Sequence, residues 1–409
     1  MAISLTTEIL GEPPKLAEIS SDLELATSWI RGGDGLIGFG TWASKRVSGV
    51  NRFADARKWW QEQLSTFSIH NHVHGSGTGP ILFGSFSFSP DDESELVIPE
   101  VIVGQKNGKS WITWIGDGPQ PKVDQLVAPR SEGEISWSDG SISNEEWKLR
   151  VADAVERIKA GGLDKVVLAR DINAHSSAEI SRRALIQRLE NEYPSTWIFL
   201  VSNLIGATPE LLVRLSKSLV TSRILAGTIR NTGDELKDLA LAASLARSSK
   251  DLEEHEYAVR SVAQALAPFC SSTNIPDSPF VLHLTNVMHL ATDVTGVVNE
   301  SAVPVDIFTL LTELHPSAAV CGTPTKIAES LISEIEGMQR GRYAGPVGWI
   351  DARGDGEMGI ALRCGELAPD KKSIRIFAGC GIVAGSDPQQ ELAESQSKLL
   401  PMRTALEAL

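Results

Sequence analysis

The run Ala378-Gly-Cys-Gly-Ile-Val-Ala-Gly-Ser-Asp-Pro-Gln-Gln-Glu391-Leu-Ala-Glu394-Ser-Gln-Ser-Lys398 reads as a glycine-spaced strand exit that turns into a helix. Glu391, Glu394 and Lys398 fall at i, i+3 and i+7, which puts them on one helical face. Two carboxylates so placed can hold a hard divalent cation such as Mg2+, because such cations favour oxygen donors. Lys398, with the bare backbone at Gly379 and Gly381, can receive an anion beside that cation. Metal and anion together point to a small polycarboxylate substrate.

Working outward, Ser373–Ala378 is the strand that feeds this helix. Alternation and aromatic residues predict strands in Gly35-Leu-Ile-Gly-Phe-Gly, Ile81-Leu-Phe-Gly-Ser-Phe-Ser-Phe and Trp111-Ile-Thr-Trp-Ile. Lys165-Val-Val-Leu-Ala-Arg reads as a buried strand after a Gly161-Gly162 stop. More strands are expected at Thr196–Ser202, Leu211–Leu215, Ser222–Leu225, Val281–Leu290, Val347–Ile350 and Met358–Cys364. Helices are expected at Ala54–Leu64, Asn144–Ala160, Ser181–Asn191, Leu236–Arg247, Leu252–Ala267, Ile327–Ile335 and Gln390–Leu406. Ser143-x-x-Glu146 is a capping signature for the second of these, and Pro401 is expected to kink the last.

Strand clusters followed by helices, without regular alternation, predict an α+β fold: large, mostly antiparallel sheets with helices packed outside. We read residues 1–140 as an N-terminal part of the same compact body and 141–409 as the catalytic region. The polar stretch Ala128–Asn144 is the expected seam.

The 409 residues suffice for a large core, with 42% hydrophobic and 22% charged residues, as in an ordinary soluble protein. A net charge of -14 argues against nucleic acid and anionic membrane as partners. No apolar run reaches the length of a membrane span, and the N-terminus lacks the pattern of a signal peptide. Cys270, Cys321, Cys364 and Cys380 are spread without a Cys-x-x-Cys, which fits reduced thiols in the cytoplasm.

Asp251 and Glu254, in Lys250-Asp-Leu-Glu-Glu-His, repeat the i, i+3 carboxylate spacing of Glu391 and Glu394. Two such pairs on separate helices can share one cation, although either alone is more often a solvated helix face. Lys165 inside an apolar strand is commonly an edge residue with its stem over the core. The sharper alternative is a desolvated amine able to act as a general base. Glu210, after Pro209, is a surface turn residue or a protonated acid; local sequence does not choose. His70, His72 and His74 share a strand face without an evident fourth ligand, so exposed strand residues are the favoured reading over a metal site. Gly379-x-Gly381-x-x-x-Gly385 lacks the following βαβ unit of a dinucleotide fingerprint.

Together these segments resemble the chorismate-utilising enzymes, and within them the isochorismate synthases. The resemblance runs from about Asn144 to Leu406. Its blocks are Lys165-Val-Val-Leu-Ala-Arg, Gly206-Ala-Thr-Pro-Glu-Leu-Leu-Val-Arg, Leu225-Ala-Gly-Thr, Glu254-His255, Leu314-His-Pro-Ser-Ala-Ala-Val-Cys-Gly-Thr-Pro, Arg342-Tyr-Ala-Gly-Pro-Val-Gly-Trp, Ala361-Leu-Arg-Cys and the terminal run. The resemblance implies Mg2+ bound by Glu254 and Glu394, with Asp251 and Glu391 in an outer layer, holding the ring carboxylate of chorismate. It implies that Arg363, Lys398, Tyr343 and the backbone at Gly379 and Gly381 receive carboxylates. Gly227, Thr228 and His289 then line the ring pocket. Lys165 activates water to attack C2, and Glu210 protonates the hydroxyl that leaves C4.

Relatives that aminate chorismate usually carry glutamine at the position of Lys165, and one type uses a lysine nucleophile where this chain has Ala226. Both differences favour water as nucleophile. Salicylate synthases share Lys165 and add pyruvate elimination, but tend to have threonine in place of Ala319; the apolar Ala319-Val320 pair fits release of isochorismate. The alternatives are thus a salicylate synthase or a non-catalytic chorismate-binding protein. The resemblance also implies a monomer without a glutamine amidotransferase subunit, serving menaquinone or siderophore biosynthesis.

Overall fold

Period-two alternation builds two packed sheets. In Trp197–Val201, residues Trp197, Phe199 and Val201 enter one core while Ile198 and Leu200 enter another, because successive side chains of a strand point to opposite faces. The computed structural model describes residues 2–12, 14–128, 133–299 and 304–408, the side chain of Lys250 excepted.

The larger sheet has thirteen strands. Its path runs from Ile135–Asp139 through Lys165–Ser176, Ser373–Ile382, Cys364–Leu367, Leu204–Thr208 and Trp197–Val201 to Leu25–Arg31 and an N-terminal flank. The second sheet has ten strands, and its path includes Val287–Val298, Leu219–Arg230, Leu211–Ser216, Gly356–Ile360, Pro346–Asp351 and Ile81–Ser85. Ile3–Ile9 pairs in parallel with Phe67–Asn71, whereas the ladders around the site are antiparallel. Trp29 and Phe199 of the larger sheet share a core with Phe83 and Trp349 of the smaller. On the outer face of the larger sheet, helices Arg182–Glu192 and Pro388–Glu407 bury Leu185, Leu189, Leu399 and Met402. Helix Ser249–Leu266 covers Leu219–Arg230 and Val287–Val298. The architecture is α+β, with helices outside large antiparallel sheets.

Beside the cavity the chain steps between the sheets at two crossings. It leaves the larger one after Thr208, passes Pro209 and Glu210, and enters the smaller at Leu211. It returns through Ala361, Leu362 and Arg363. The crossings are stitched together: Thr208 Oγ1 donates to the Ile360 carbonyl at 2.6 Å, and the Ala207 N–H donates to the Arg363 carbonyl at 3.1 Å. Glu210 and Arg363 therefore sit at the junction of both sheets.

Several expected elements differ for local reasons. Val281–Leu290 is a hairpin, Phe280–His283 against Val287–Val298, turned at polar Thr285 and Asn286. Met358–Cys364 divides into Gly356–Ile360 and Cys364–Leu367 because the crossing lies between them. Helix Ile307–Leu314 was not anticipated, although Asp306 caps it by accepting from the Thr309 N–H. The Ser143–Glu146 capping box opens Asn144–Lys159. Pro401 lies inside a continuous helix, Pro388–Glu407. Residues 129–132 of the expected seam lie outside the described residues, while strands from both sides of it, each in a contiguous block, share both sheets. No described helix is long and apolar enough to cross a membrane.

Candidate active site

The floor is a two-strand ladder in which Val167 faces Gly381 and Ala169 faces Gly379. A Cβ at Gly381 would stand 2.3 Å from Glu254 Oε1 and 2.9 Å from Lys165 Cε. Only bare backbone admits both charged groups there. Lys165 is fully buried, with Nζ 3.1 Å from Glu254 Oε1. That contact lacks hydrogen-bond alignment, so it is an ion pair held by charge.

Glu210 is 4% exposed and points into the same cavity. Burial pushes its carboxyl up to about 8, although Lys165, the Leu225 backbone, Lys398 and Arg363 pull it down. Desolvation wins because none of these cations forms a direct ion pair with it among the described residues. Glu210 is therefore protonated at neutral pH.

The opposite wall turns on a bulge. Ala226 pairs with Leu290 and Thr228 with His289, leaving Gly227 unpaired at φ +74°; that left-handed region favours glycine. A Cβ there would also meet Asp251 Cβ at 2.9 Å. The bulge presents Thr228, whose Oγ1 lies 3.0 Å from His289 Nδ1. Arg363 Nη2 donates to His289 Nε2 at 3.1 Å. A guanidinium only donates, so the imidazole proton resides on Nδ1. Burial, with Arg363 and Lys398 nearby, holds this ring well below the ordinary histidine value, neutral and ordered.

Helix Pro388–Glu407 closes the site. Lys398 Nζ contacts Glu394 Oε1 at 2.6 Å and donates to the Gly379 carbonyl at 2.9 Å. Burial opposes its charge, yet Glu394 holds the amine above its usual range. Ligand atoms of Cys380, Glu391 and Glu394 lie within 4.8 Å of one another. Burial, then Glu394, Glu391 and Glu254, keeps the Cys380 thiol well above its ordinary value. Two carboxylates against one thiol make a donor set richer in oxygen than in sulfur, which suits a hard cation better than zinc or copper. The residues present thus fit a divalent cation at Glu391 and Glu394, the two carboxylates that stand together, while Glu254 lies against Lys165 and Gly381.

With this geometry in view, relatives are informative. The chorismate binding enzyme profile matches residues 31–407. The chain belongs to the chorismate-binding enzyme family. Isochorismate synthase MenF of Bacillus subtilis is 30% identical, with 91% of this chain and 85% of that protein covered. Isochorismate synthase DhbC of the same organism is 34% identical, with 85% and 87% covered. The solved structure of MenF, the menaquinone-specific isochorismate synthase from Escherichia coli, superposes with a TM-score of 0.77 over 99% of this chain and 95% of that one, at 22% identity, and shares the fold.

In this member of the family, the cavity is lined by Glu210, Gly227, Thr228, Glu254, His289, Ala319, Val320, Tyr343, Arg363, Gly379, Gly381 and Lys398. Lys165 lies just beneath, against Gly381. Asp251, Glu391 and Glu394 stand behind the lining, on the two acidic helices. Tyr343 is buried and stacks on Phe377 at 5.0 Å between centroids, and burial raises its phenol. The histidines 70, 72 and 74 are exposed and belong to no group of potential metal ligands among the described residues.

Sequence reasoning missed two things. His255, 3% exposed, bonds Thr292 Oγ1 through Nε2 at 2.7 Å, and burial pushes it down to about 4. Arg340 lines the cavity and pairs with Glu336. Its signal was the i, i+4 Glu336-x-x-x-Arg340 spacing, which is common on solvated helices and therefore weak.

Proposed function

We propose that the chain interconverts chorismate and isochorismate with Mg2+ as cofactor, water adding at C2 while the hydroxyl leaves C4. The observation that carries this reading is a buried amine and a protonated buried carboxyl, Lys165 and Glu210, set about one cavity. Lys165 takes a proton from the attacking water. Glu210 delivers its proton to the departing hydroxyl, which leaves as water, since hydroxide alone is a poor leaving group. In the reverse direction the two exchange roles. Mg2+, held at Glu391 and Glu394, would offset the ring carboxylate and stabilise charge developing in the conjugated ring. Asp251 and Glu254 lie on the other acidic helix. Arg363, Lys398, Tyr343 and the backbone at Gly379 and Gly381 receive the substrate carboxylates, while Gly227, Thr228 and His289 hold the ring.

The isochorismate synthases among its relatives support the same reaction. We further infer a monomer working in the cytoplasm without an amidotransferase subunit; the free cysteines fit a reducing compartment. The test is chromatography of products after incubation with chorismate, with Mg2+ or with chelator. Isochorismate that forms only with the metal is the expected result. Salicylate and pyruvate as main products would overturn it.

A further inference from the structure

The strand that carries Lys165 has an incomplete edge. On one side it pairs with Ser373–Ile382 from Val166 to His175. On the other, Gly322–Thr323 reaches only Lys165 and Val166, and Ile135–Asp139 only Ile172 to Ser176. In the interval the Val167 N–H donates to the Cys321 carbonyl at 2.8 Å, and side chains take the remaining groups. The Val167 carbonyl accepts from Arg340 Nη2 at 2.7 Å, and the Ala169 N–H donates to Glu336 Oε2 at 2.8 Å. The Ala169 carbonyl accepts from Trp147 Nε1 at 3.2 Å. Arg340 Nε donates to Glu336 Oε1 at 2.7 Å, and its Nη1 donates to the Val320 carbonyl at 2.8 Å. Both side chains are buried, and the guanidinium lies 4.1 Å over the Phe88 ring.

We propose that Arg340, held by Glu336, is a positioning residue that acts as the missing rung of this strand and ties it to the Val320 wall of the cavity. The proposal rests on Lys165 being the base. Val167 is two residues from Lys165 on the same strand face, so a shift of this edge displaces Nζ relative to a ring held against Ala319 and Val320. The guanidinium fork makes four bonds from three nitrogens, two to Glu336 and one to each carbonyl; an ammonium has three donors on one nitrogen and cannot span the same acceptors.

The experiment is Arg340→Lys, measured for kcat, KM for chorismate and thermal midpoint, alone and combined with Lys165→Ala. Misplacing a reacting group by about 1 Å costs on the order of a hundredfold, so kcat per folded molecule should fall roughly ten- to a hundredfold, with KM little changed. In the Lys165→Ala background the same change should cost almost nothing more, since both act through one amine. Glu336→Gln, expected to show a smaller loss in the same direction, serves if Arg340→Lys does not fold. An unchanged kcat per folded molecule, or a full additional loss in the Lys165→Ala background, overturns the proposal. Near-normal turnover by Lys165→Ala alone would instead show that the functional reading beneath it has failed.

Discussion

Glu210, just before strand Leu211–Ser216, and Glu357, on the adjoining strand Gly356–Ile360, are carboxylates of one seam, yet their chemistry is opposite. The main chain of Leu211 pairs with Gly359, and that of Arg214 with Glu357. Glu357 accepts from Arg214 Nε at 2.8 Å, Trp29 Nε1 at 3.0 Å and Trp197 Nε1 at 3.3 Å. Burial pushes it upward, but Arg214 and these donors hold it below the ordinary glutamate value. Glu210 faces the cavity with a backbone donor at Leu225 but no side-chain donor among the described residues, and burial pushes it up to about 8. Partners, not burial alone, decide which buried glutamate is a proton donor near neutrality.

The sharpest way to break this comparison is Glu210→Gln. An amide keeps the shape but cannot supply the proton, so kcat should fall about 10²- to 10⁴-fold, with chorismate binding retained in equilibrium titration. Near-wild-type turnover would refute the acid role. Glu357→Gln should behave differently. It disrupts a hydrogen-bonded charge pair with partly exposed Arg214, so a loss of about 2 kcal/mol is expected in denaturant unfolding, with kcat per folded molecule kept.

A pH series separates the two residues more gently. Glu210 binds its proton more tightly when folded, so the stability it contributes is full below the ordinary carboxyl value and is lost as pH rises towards about 8. Activity in the synthase direction should decline over the same upper limb. Glu357 has the opposite sign: its contribution is present above the ordinary value and is lost as pH falls through its lowered folded value. Unfolding curves of Glu210→Gln should lack the decline between about pH 5 and 8; its persistence would assign the titration to another group.

A similar contrast separates the buried ion pairs. Arg340–Glu336 is hydrogen-bonded to the backbone at Val167, Ala169 and Val320, as suits a scaffold. Lys165–Glu254 lies against the cavity without hydrogen-bond alignment. A buried amine without an aligned hydrogen bond is available for chemistry in a way that a locked guanidinium is not.

Much of the fold was legible from local pattern. The helix over Asn144–Lys159 follows from its capping box, and the strand Trp197–Val201 from a short apolar, aromatic run. The Val281–Leu290 hairpin was not, since an apolar stretch interrupted by two polar residues carries no unique register. At the site, type and neighbours left Lys165 and Glu210 open, and the resemblance to the family assigned them their roles; Arg340 lies beyond the expected helix Ile327–Ile335 and carried no such mark.

Order and type of residues alone determined the family, through blocks that resemble its members, and with that resemblance the candidate acid, base and carboxylate groups; they determined the mixed α+β class through periodicity and caps, which act within a few residues of chain. Tertiary structure alone decided that Glu210 keeps its proton, that Glu254 approaches Lys165 over a glycine floor, and that an ion pair completes the strand beneath them. These depend on electrostatic and packing terms summed over segments distant in sequence, and no local pattern encodes such a sum.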